Sequence, residues 1–386
     1  MALWIVFCPL SFGKTDFEGI FLIESQSVQN LKSFLNYNQL HLKGSVHPTN
    51  ELTIYSHFLF FKLYGSHSYS LKTAIEVYPS VNWLMHEDIQ LKLGRLLYKH
   101  PFHQIISSDI YDSFIYSFDG IFLEYDTAIL KADIWSAYLP KRWTGLKKEK
   151  DFEYGSGVFL DIKFTESYIN SFNFYVAYLA DSFFQQSAEK MSRYGIALKG
   201  LIQPFNLNYT FITVGHGSSF QFKLEENMYH FSLDYFQSNF FNSHFFTGYH
   251  TDSLKYEPWL YDRYKNTGYS DLFLWGNLNY YFTGFSISPI DRWKFKLAFY
   301  DFNATQNGSL KLGYVGEWMN SSKANIITVS KGKLGKELNF MISNQINKEL
   351  LITLNTAFFL PQKNLENVLK SKELYSNVLL TMLYSF

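Results

Sequence analysis

Cysteine is nearly absent from this chain: its 386 residues include one, Cys8, in the opening stretch "MALWIVFCPLSFGK". An internal disulfide framework is therefore excluded. Proline is scarce, nine in all, and no Pro-rich or Ser/Gly-rich linker, low-complexity tract or run of like charges divides the chain. A length that ordinarily suggests two domains or more thus points to one large unit. Net charge is zero, 34 Lys and Arg against 34 Asp and Glu, and arginine stands only at 95, 142, 193, 263 and 292. The sum gives no argument for nucleic acid, and none is expected as a partner. Beyond the first dozen residues no apolar run approaches the ~20 residues that a transmembrane helix needs, so a helical membrane protein is excluded.

What the chain has in abundance is aromatic side chains, 39 Phe, 29 Tyr and 8 Trp. Only 47% of residues are apolar, so apolar and polar residues must be finely interleaved. The interleaving has period two. Val158, Leu160, Ile162 and Phe164 alternate with Phe159, Asp161 and Lys163; Tyr229, Phe231, Leu233 and Tyr235 alternate with His230, Ser232 and Asp234. Trp293, Phe295, Leu297 and Phe299 alternate with Lys294, Lys296, Ala298 and Tyr300. A strand with one greasy face and one charged face suits a wall between lipid and water.

Eighteen such strands are expected, at 17–27, 33–46, 51–64, 74–84, 89–98, 118–126, 128–138, 155–165, 171–181, 191–202, 206–216, 227–237, 243–252, 275–287, 291–303, 336–346, 349–360 and 376–386. Short connections (47–50, 85–88, 127, 166–170, 203–205, 238–242, 288–290, 347–348) alternate with long ones (99–117, 139–154, 253–274, 304–335, 361–375). That parity is what short periplasmic turns and long extracellular loops produce. The expected fold is all-β: a single closed antiparallel transmembrane barrel over 14–386 in a Gram-negative outer membrane. Residues 309–319 are assigned to a loop, as a hairpin arm, because a nineteenth strand would spoil the parity. A phase change at Gly94-Arg95 predicts a bulge. Residues 1–13 read as a signal peptide lacking its basic start, Ser11-Phe12-Gly13 being the cleavage site, with a first buried strand as the alternative. At the other end Val378, Leu380, Met382, Tyr384 and Phe386 share a face, and Phe386 reads as the contact for the barrel-assembly machinery.

The stretch 89–140 adds a resemblance. A strand ending L-x-L-G-R (91–95), F-D-G (118–120) opening the next, and Asp133-Ile134-Trp135 on the one after resemble the alginate-export (AlgE-type) family of outer-membrane channels. Residues 268–302 and 334–361 are similar too. The resemblance implies an eighteen-stranded channel exporting acidic polysaccharide, and singles out Arg95 and Asp119. The pore strands of that family tend to be Arg-rich, whereas the second strand here offers Gln39, His41 and Lys43.

Eighteen strands enclose a water-filled lumen. With each polar set turned inward, Lys43, Lys92, Lys131, Lys163, Arg193, Lys199, Lys294 and Lys296 face Glu124, Asp133, Asp161, Asp234 and Glu337, with Arg95 added by the resemblance. The excess of positive charge predicts passage of anions. The alternative is that these charges pair across strands, Asp133 with Lys163 for example. Lysines in 140–150 and at 311, 323, 331 and 333 suit steering of acidic sugars or lipopolysaccharide phosphates. Loop 99–117 is the candidate for a constriction. Enzymatic motifs are missing: there is no G-x-S-x-G, P-loop or G-x-G-x-x-G. His100 and His103 lack further metal ligands nearby, and His216 with Ser218 and Ser219 reads as turn chemistry. No cofactor, metal or catalytic residue is expected. The competing functions are a weakly selective general porin, a structural or adhesive barrel, and a lipid-modifying one.

Overall fold

Period-two alternation becomes strand wherever it occurs. The computed structural model describes residues 14–28, 33–65, 72–96, 118–138, 154–164, 169–180, 190–216, 228–253, 273, 276–312, 326–369 and 374–385. In chain order the strands are β1 (Lys14–Val28), β2 (Ser33–His47), β3 (Leu52–Gly65), β4 (Lys72–His86), β5 (Ile89–Leu96), β6 (Phe118–Asp126) and β7 (Leu130–Tyr138). There follow β8 (Tyr154–Lys163), β9 (Ile169–Ala180), β10 (Lys190–Ile202), β11 (Leu207–His216), β12 (Met228–Gln237), β13 (Ser243–Thr251) and β14 (Leu278–Ile287). The last are β15 (Trp293–Ala304), β16 (Gly308–Lys311), β17 (Ile326–Val329), β18 (Gly332–Gln345), β19 (Leu350–Pro361) and β20 (Tyr375–Ser385), with helix α1 (Lys363–Leu369) before β20.

Successive strands pair antiparallel throughout, except that β15 skips to β18. The last strand of the eighteen-stranded sheet, β20, pairs with both β19 and β1. The two strands outside the ladder, β16 and β17, pair with each other as a separate hairpin inside the connection between β15 and β18. Of the stretch 309–319 assigned to a hairpin arm in that loop, 309–311 belong to such an arm and 313–319 lie outside the described residues. Residues 1–13, loop 99–117 and Phe386 lie outside the described residues.

Short polar side chains make the tight turns. Asn347 Oδ1 accepts the backbone N–H groups of Glu349 and Leu350 at 2.9 and 2.7 Å, and Thr127 Oγ1 accepts that of Leu130 at 3.0 Å. Such side chains replace the next backbone acceptor and reverse the chain in few residues. The eight predicted short connections are all short here, between β2 and β3, β4 and β5, and so on to β18 and β19.

Along β13, β14 and much of β19 burial alternates from one residue to the next. On β14, Tyr280 is 1% exposed and Ser286 3%, while their neighbours Tyr281 and Phe285 are 63% and 37% exposed. Side chains crowd together on the concave side of a curved sheet and splay apart on the convex side. The exposed set is large and apolar: Ile121, Ile134, Phe231, Phe285, Phe299, Leu338, Phe358 and Leu380. Where rings must lie flat on the inner wall, glycine stands opposite. Phe282 covers Gly248 and Phe246 covers Gly284, and a Cβ on either glycine would come within 2.5 Å of the facing ring.

Candidate functional site: the inner wall

The cross-strand register determines which charges share the concave face. Lys92 on β5 reaches Glu124 on β6, Nζ to Oε2 2.6 Å, and Lys163 on β8 reaches Asp126, Nζ to Oδ1 3.1 Å. The partner foreseen for Lys163 was Asp133, but Asp133 stands opposite Glu124 and Phe159, deeply buried at 3% exposure. Lys131 lies between Asp126 and Asp161, whose carboxylate accepts a hydrogen bond from Asn173. Asp234 on β12 meets His244 on β13 at 2.8 Å. Lys43 lies between Glu18 and His57, Lys199 between Ser171 and Thr210, and Glu337 between Tyr300 and Phe359. Arg193 stands opposite Ala177 and His216, so His216 closes a strand rather than a loop. Its former companions Ser218 and Ser219 lie outside the described residues, as do His100 and His103.

Arg95 falls on the other face. Its guanidinium holds Asp119 in a fork, Nε to Oδ1 2.6 Å and Nη2 to Oδ2 2.7 Å, and Asp119 alternates with the exposed Ile121 and stands opposite the exposed Tyr138. Arg95 is thus removed from the inner-wall set. Gly94 has φ +118° and a Cβ there would strike the Pro79 carbonyl, so the residue before Arg95 must be glycine. The L-G-R and F-D-G motifs are the two halves of this glycine-marked ion pair between neighbouring strands. Any barrel can use such a local device, which is why the motifs alone did not identify a family.

His41 and His57, and His230 and His250, are far apart in sequence, yet the fold brings each pair together. His41 Nδ1 and His57 Nε2 lie 2.9 Å apart between β2 and β3, and the rings of His230 and His250 stand 5.8 Å apart between β12 and β13. These pairs are adjacent only through the register, although His41 and His230 fall in the polar sets of their strands. Among the described residues, the group with converging metal-type ligands is His86, Glu87 and Asp88, an exposed turn.

At the long-loop end an apolar cluster fills part of the concave side. Phe273 lies over Phe302 and Phe359, ring centroids 5.2 and 5.6 Å away, and is bridged to Leu312. Leu310, Ile327, Val329 and Leu365 of α1 are buried in the same cluster as Leu278, Tyr280 and Leu334. A polar staple holds it. Asn277 Nδ2 donates to the carbonyls of Gln306 and Ser309 at 3.1 and 3.2 Å, and its Oδ1 accepts from Thr305 Oγ1 at 2.7 Å. Asp252, just past β13, accepts the N–H groups of Leu278 and Gly276 at 2.6 and 2.8 Å. Burial pushes the Asp252 carboxyl well above its ordinary value, against those two backbone donors, which pull it down.

At the short-turn end β15 carries a run of cations. Lys294 faces Ser343, and Lys296 stands between Ser286 and Met341, its Nζ 4.9 Å above the ring of Phe246. Arg292 in the turn donates from Nη1 to the Ile346 carbonyl at 3.0 Å. Lys294, Ser343 and Arg292, with Asp291, Asn242, Ser288 and Gln345, line an open cleft of about 330 Å³.

An eighteen-stranded ladder with an apolar convex face and a charged concave one belongs to the class of outer-membrane-type barrels. No known protein family profile matches the sequence, and no curated protein matches it. The similarity is structural. Pseudomonas aeruginosa OpdQ superposes with a TM-score of 0.66 at 11% identity, covering 97% of this chain and 99% of that one. OccK11 (OpdR) of the same organism gives 0.65 at 12% identity, with 96% of each chain covered, and OprD 0.64 at 8% identity, with 97% and 95% covered. These are OprD/Occ porins, and they overturn the resemblance to alginate-export channels. At these identities the likeness shows a common fold along the whole chain.

Proposed function

We propose that residues 14–386 form a closed transmembrane barrel of the Gram-negative outer membrane through which small anionic solutes pass down their gradient, with residues 1–13 as its export signal. The pairing of β20 with β1 supports closure. The exposed apolar set supports lipid around the barrel, with lipopolysaccharide at its outer rim and Phe386 as the signal to the assembly machinery. Passage needs no covalent step and no cofactor. Export of acidic polysaccharide is set aside with the family that suggested it.

One observation carries the anion preference. Several acidic side chains of the inner wall have a cation or histidine beside them, whereas Lys294 and Lys199 have hydroxyl side chains as their cross-strand neighbours, and Lys296 follows Lys294 on the same face. A basic strip in a low-dielectric wall lowers the barrier for a carboxylate and raises it for a cation. The other members of the proposed lining (Lys43, Lys92, Glu124, Lys131, Asp133, Asp161, Lys163, Arg193, Asp234 and Glu337) keep the lumen wet and mutually compensated. The test is a planar bilayer with a salt gradient. Anion-directed reversal potential in the native chain, moved toward zero or inverted by Lys294→Glu with Lys296→Glu, is the expected result. An unselective pore unaffected by the exchange would leave a general porin, and a folded, inserted protein without conductance would reject the channel.

A further inference from the structure

We infer that the inner wall across β12–β15 holds a platform of aromatic rings, centred on Phe246 and Phe282, that takes a neutral sugar through the apolar face of its ring. It rests on the channel function proposed above and adds to it a subsite and a class of solute.

Rings form a continuous strip on this part of the concave face. From Phe246 the centroids step 6.5 Å to Phe282, 6.0 Å to Tyr300, 5.7 Å to Phe302 and 5.2 Å to Phe273 in the apolar cluster. The planes of Phe282 and Tyr300 differ by 25° and those of Tyr300 and Phe302 by 5°. At the cluster end the strip is sealed, Phe273 and Phe302 being 1% and 0% exposed. Phe246 and Phe282 pack against the same cluster but stay half-buried. Each lies over a glycine of the neighbouring strand, so that one side of the ring rests on backbone. A bare apolar strip on an otherwise charged, water-filled wall is costly to hydrate, and an apolar surface laid against it recovers that cost.

Polar groups border the two rings. The register sets Asp234 on β12 opposite Phe246, and Ser232 opposite Gly248, over which Phe282 lies. Asp234 Oδ1 meets His244 Nε2 at 2.8 Å, the two side chains being 27% and 25% exposed, and Oδ2 takes no part in that contact. Lys296 reaches the platform from β15, its Nζ 4.9 Å from the Phe246 centroid.

A flat apolar face edged by hydroxyls is what a pyranose ring presents. Its C–H groups carry slight positive charge and suit the negative face of an aromatic ring. Its hydroxyls donate to a carboxylate and both donate to and accept from a serine. A wholly apolar solute would strip water from Asp234 and Ser232 without replacing it, and a linear polyol has no rigid apolar face to lay down. Asp234 and Lys296 flank the platform with opposite charges, so neither sign of net charge on the ring is favoured.

The experiment records chloride current through the refolded protein in a planar bilayer while maltose, or sorbitol at equal mass concentration, is added to one side. Maltose should block saturably, with a half-blocking concentration at least about tenfold below that of sorbitol. Phe282→Leu keeps apolar bulk and removes the ring face. Measured against its own open current, it should raise the maltose value several-fold, up to about tenfold, and Phe246→Leu should do the same more weakly. If Phe282→Leu does not fold, Phe246→Leu decides. Equal block by the two solutes, or a maltose preference that survives both substitutions, would overturn the platform. Calorimetric titration of maltose into the folded protein in detergent keeps the two readings apart. Maltose binding without chloride current would retain the platform and reject the channel, current without binding would reject the platform, and absence of both would reject both.

Discussion

Asp252 shows how a single buried carboxyl can couple the outer mouth to pH. It accepts two backbone N–H groups across the β13–β14 connection, and His250 Nε2 lies 3.2 Å from its Oδ2. Because its carboxyl titrates well above the ordinary value of 3.8 when folded, the native state holds a proton that the unfolded chain has released. Stability must then fall as pH rises from that ordinary value through the folded one. Asp252→Asn keeps one acceptor and cannot ionise. The urea midpoint of the native protein in detergent micelles should decline from about pH 4 upward, and that of the variant should lack this decline. Identical slopes would mean that the carboxyl is not the group responsible. At this scale sequence was a partial guide. Lys294, Lys296, Lys92 and Glu124 fall on the polar parity of their strands, which any period-two count finds. Arg95 does not, because resemblance rather than alternation put it in the lumen.

Among the elements, the hairpin of β16 and β17 is the one whose place no local pattern announces. Its alternation is that of a strand, Leu310 buried beside the exposed Ser309, and Ile327 and Val329 buried on either side of the exposed Thr328. What it packs against are inward-facing residues, Phe302, Phe359 and Tyr280, together with Phe273 from the preceding long connection. A hairpin with a buried apolar face and a polar staple at its root is anchored rather than swinging. Removing residues 308–329 should widen the outer mouth and raise single-channel conductance, on the order of twofold. An unchanged conductance would place the hairpin beside the current path. The sequence-based candidate for a constriction, 99–117, lies outside the described residues. The hairpin was missed as a constriction because four-residue strands inside a loop look the same whether they stand above a barrel or lie against its inner wall.

For the whole molecule the decisive property is which residues stand on each side: charged side chains share the crowded side with a buried aromatic cluster, while large apolar side chains stand exposed on the other, the reverse of a water-soluble sheet's requirement. Ile134, 50% exposed on β7, marks the convex face. Ile134→Arg should cost about 2–4 kcal/mol if that residue lies near the bilayer midplane, and about 0–1 kcal/mol near an interface. An inward-facing exchange such as Ser232→Lys should cost far less. Urea titrations of both variants folded into phospholipid vesicles would decide, and equal costs would argue against lipid on the convex side. Fold similarity to OpdQ and OprD over nearly the full chain at 8–11% identity agrees with this, since alternation and strand count can persist while side chains change.

Alternation, connection length and the scarcity of proline and long apolar runs determined the strand count, the parity of turns and loops, and the polar face of each strand. These are properties of neighbours in the chain, and a period of two is visible without any knowledge of contacts. Only the tertiary structure decided which charges meet, that Lys163 takes Asp126 and not Asp133, and that Arg95 leaves the lumen for Asp119. It alone brought His41 to His57 and set Asn339 between two alanines. The reason is physical: the face of a side chain follows from its place in its own strand, but its partner follows from the register between strands, which no single strand encodes.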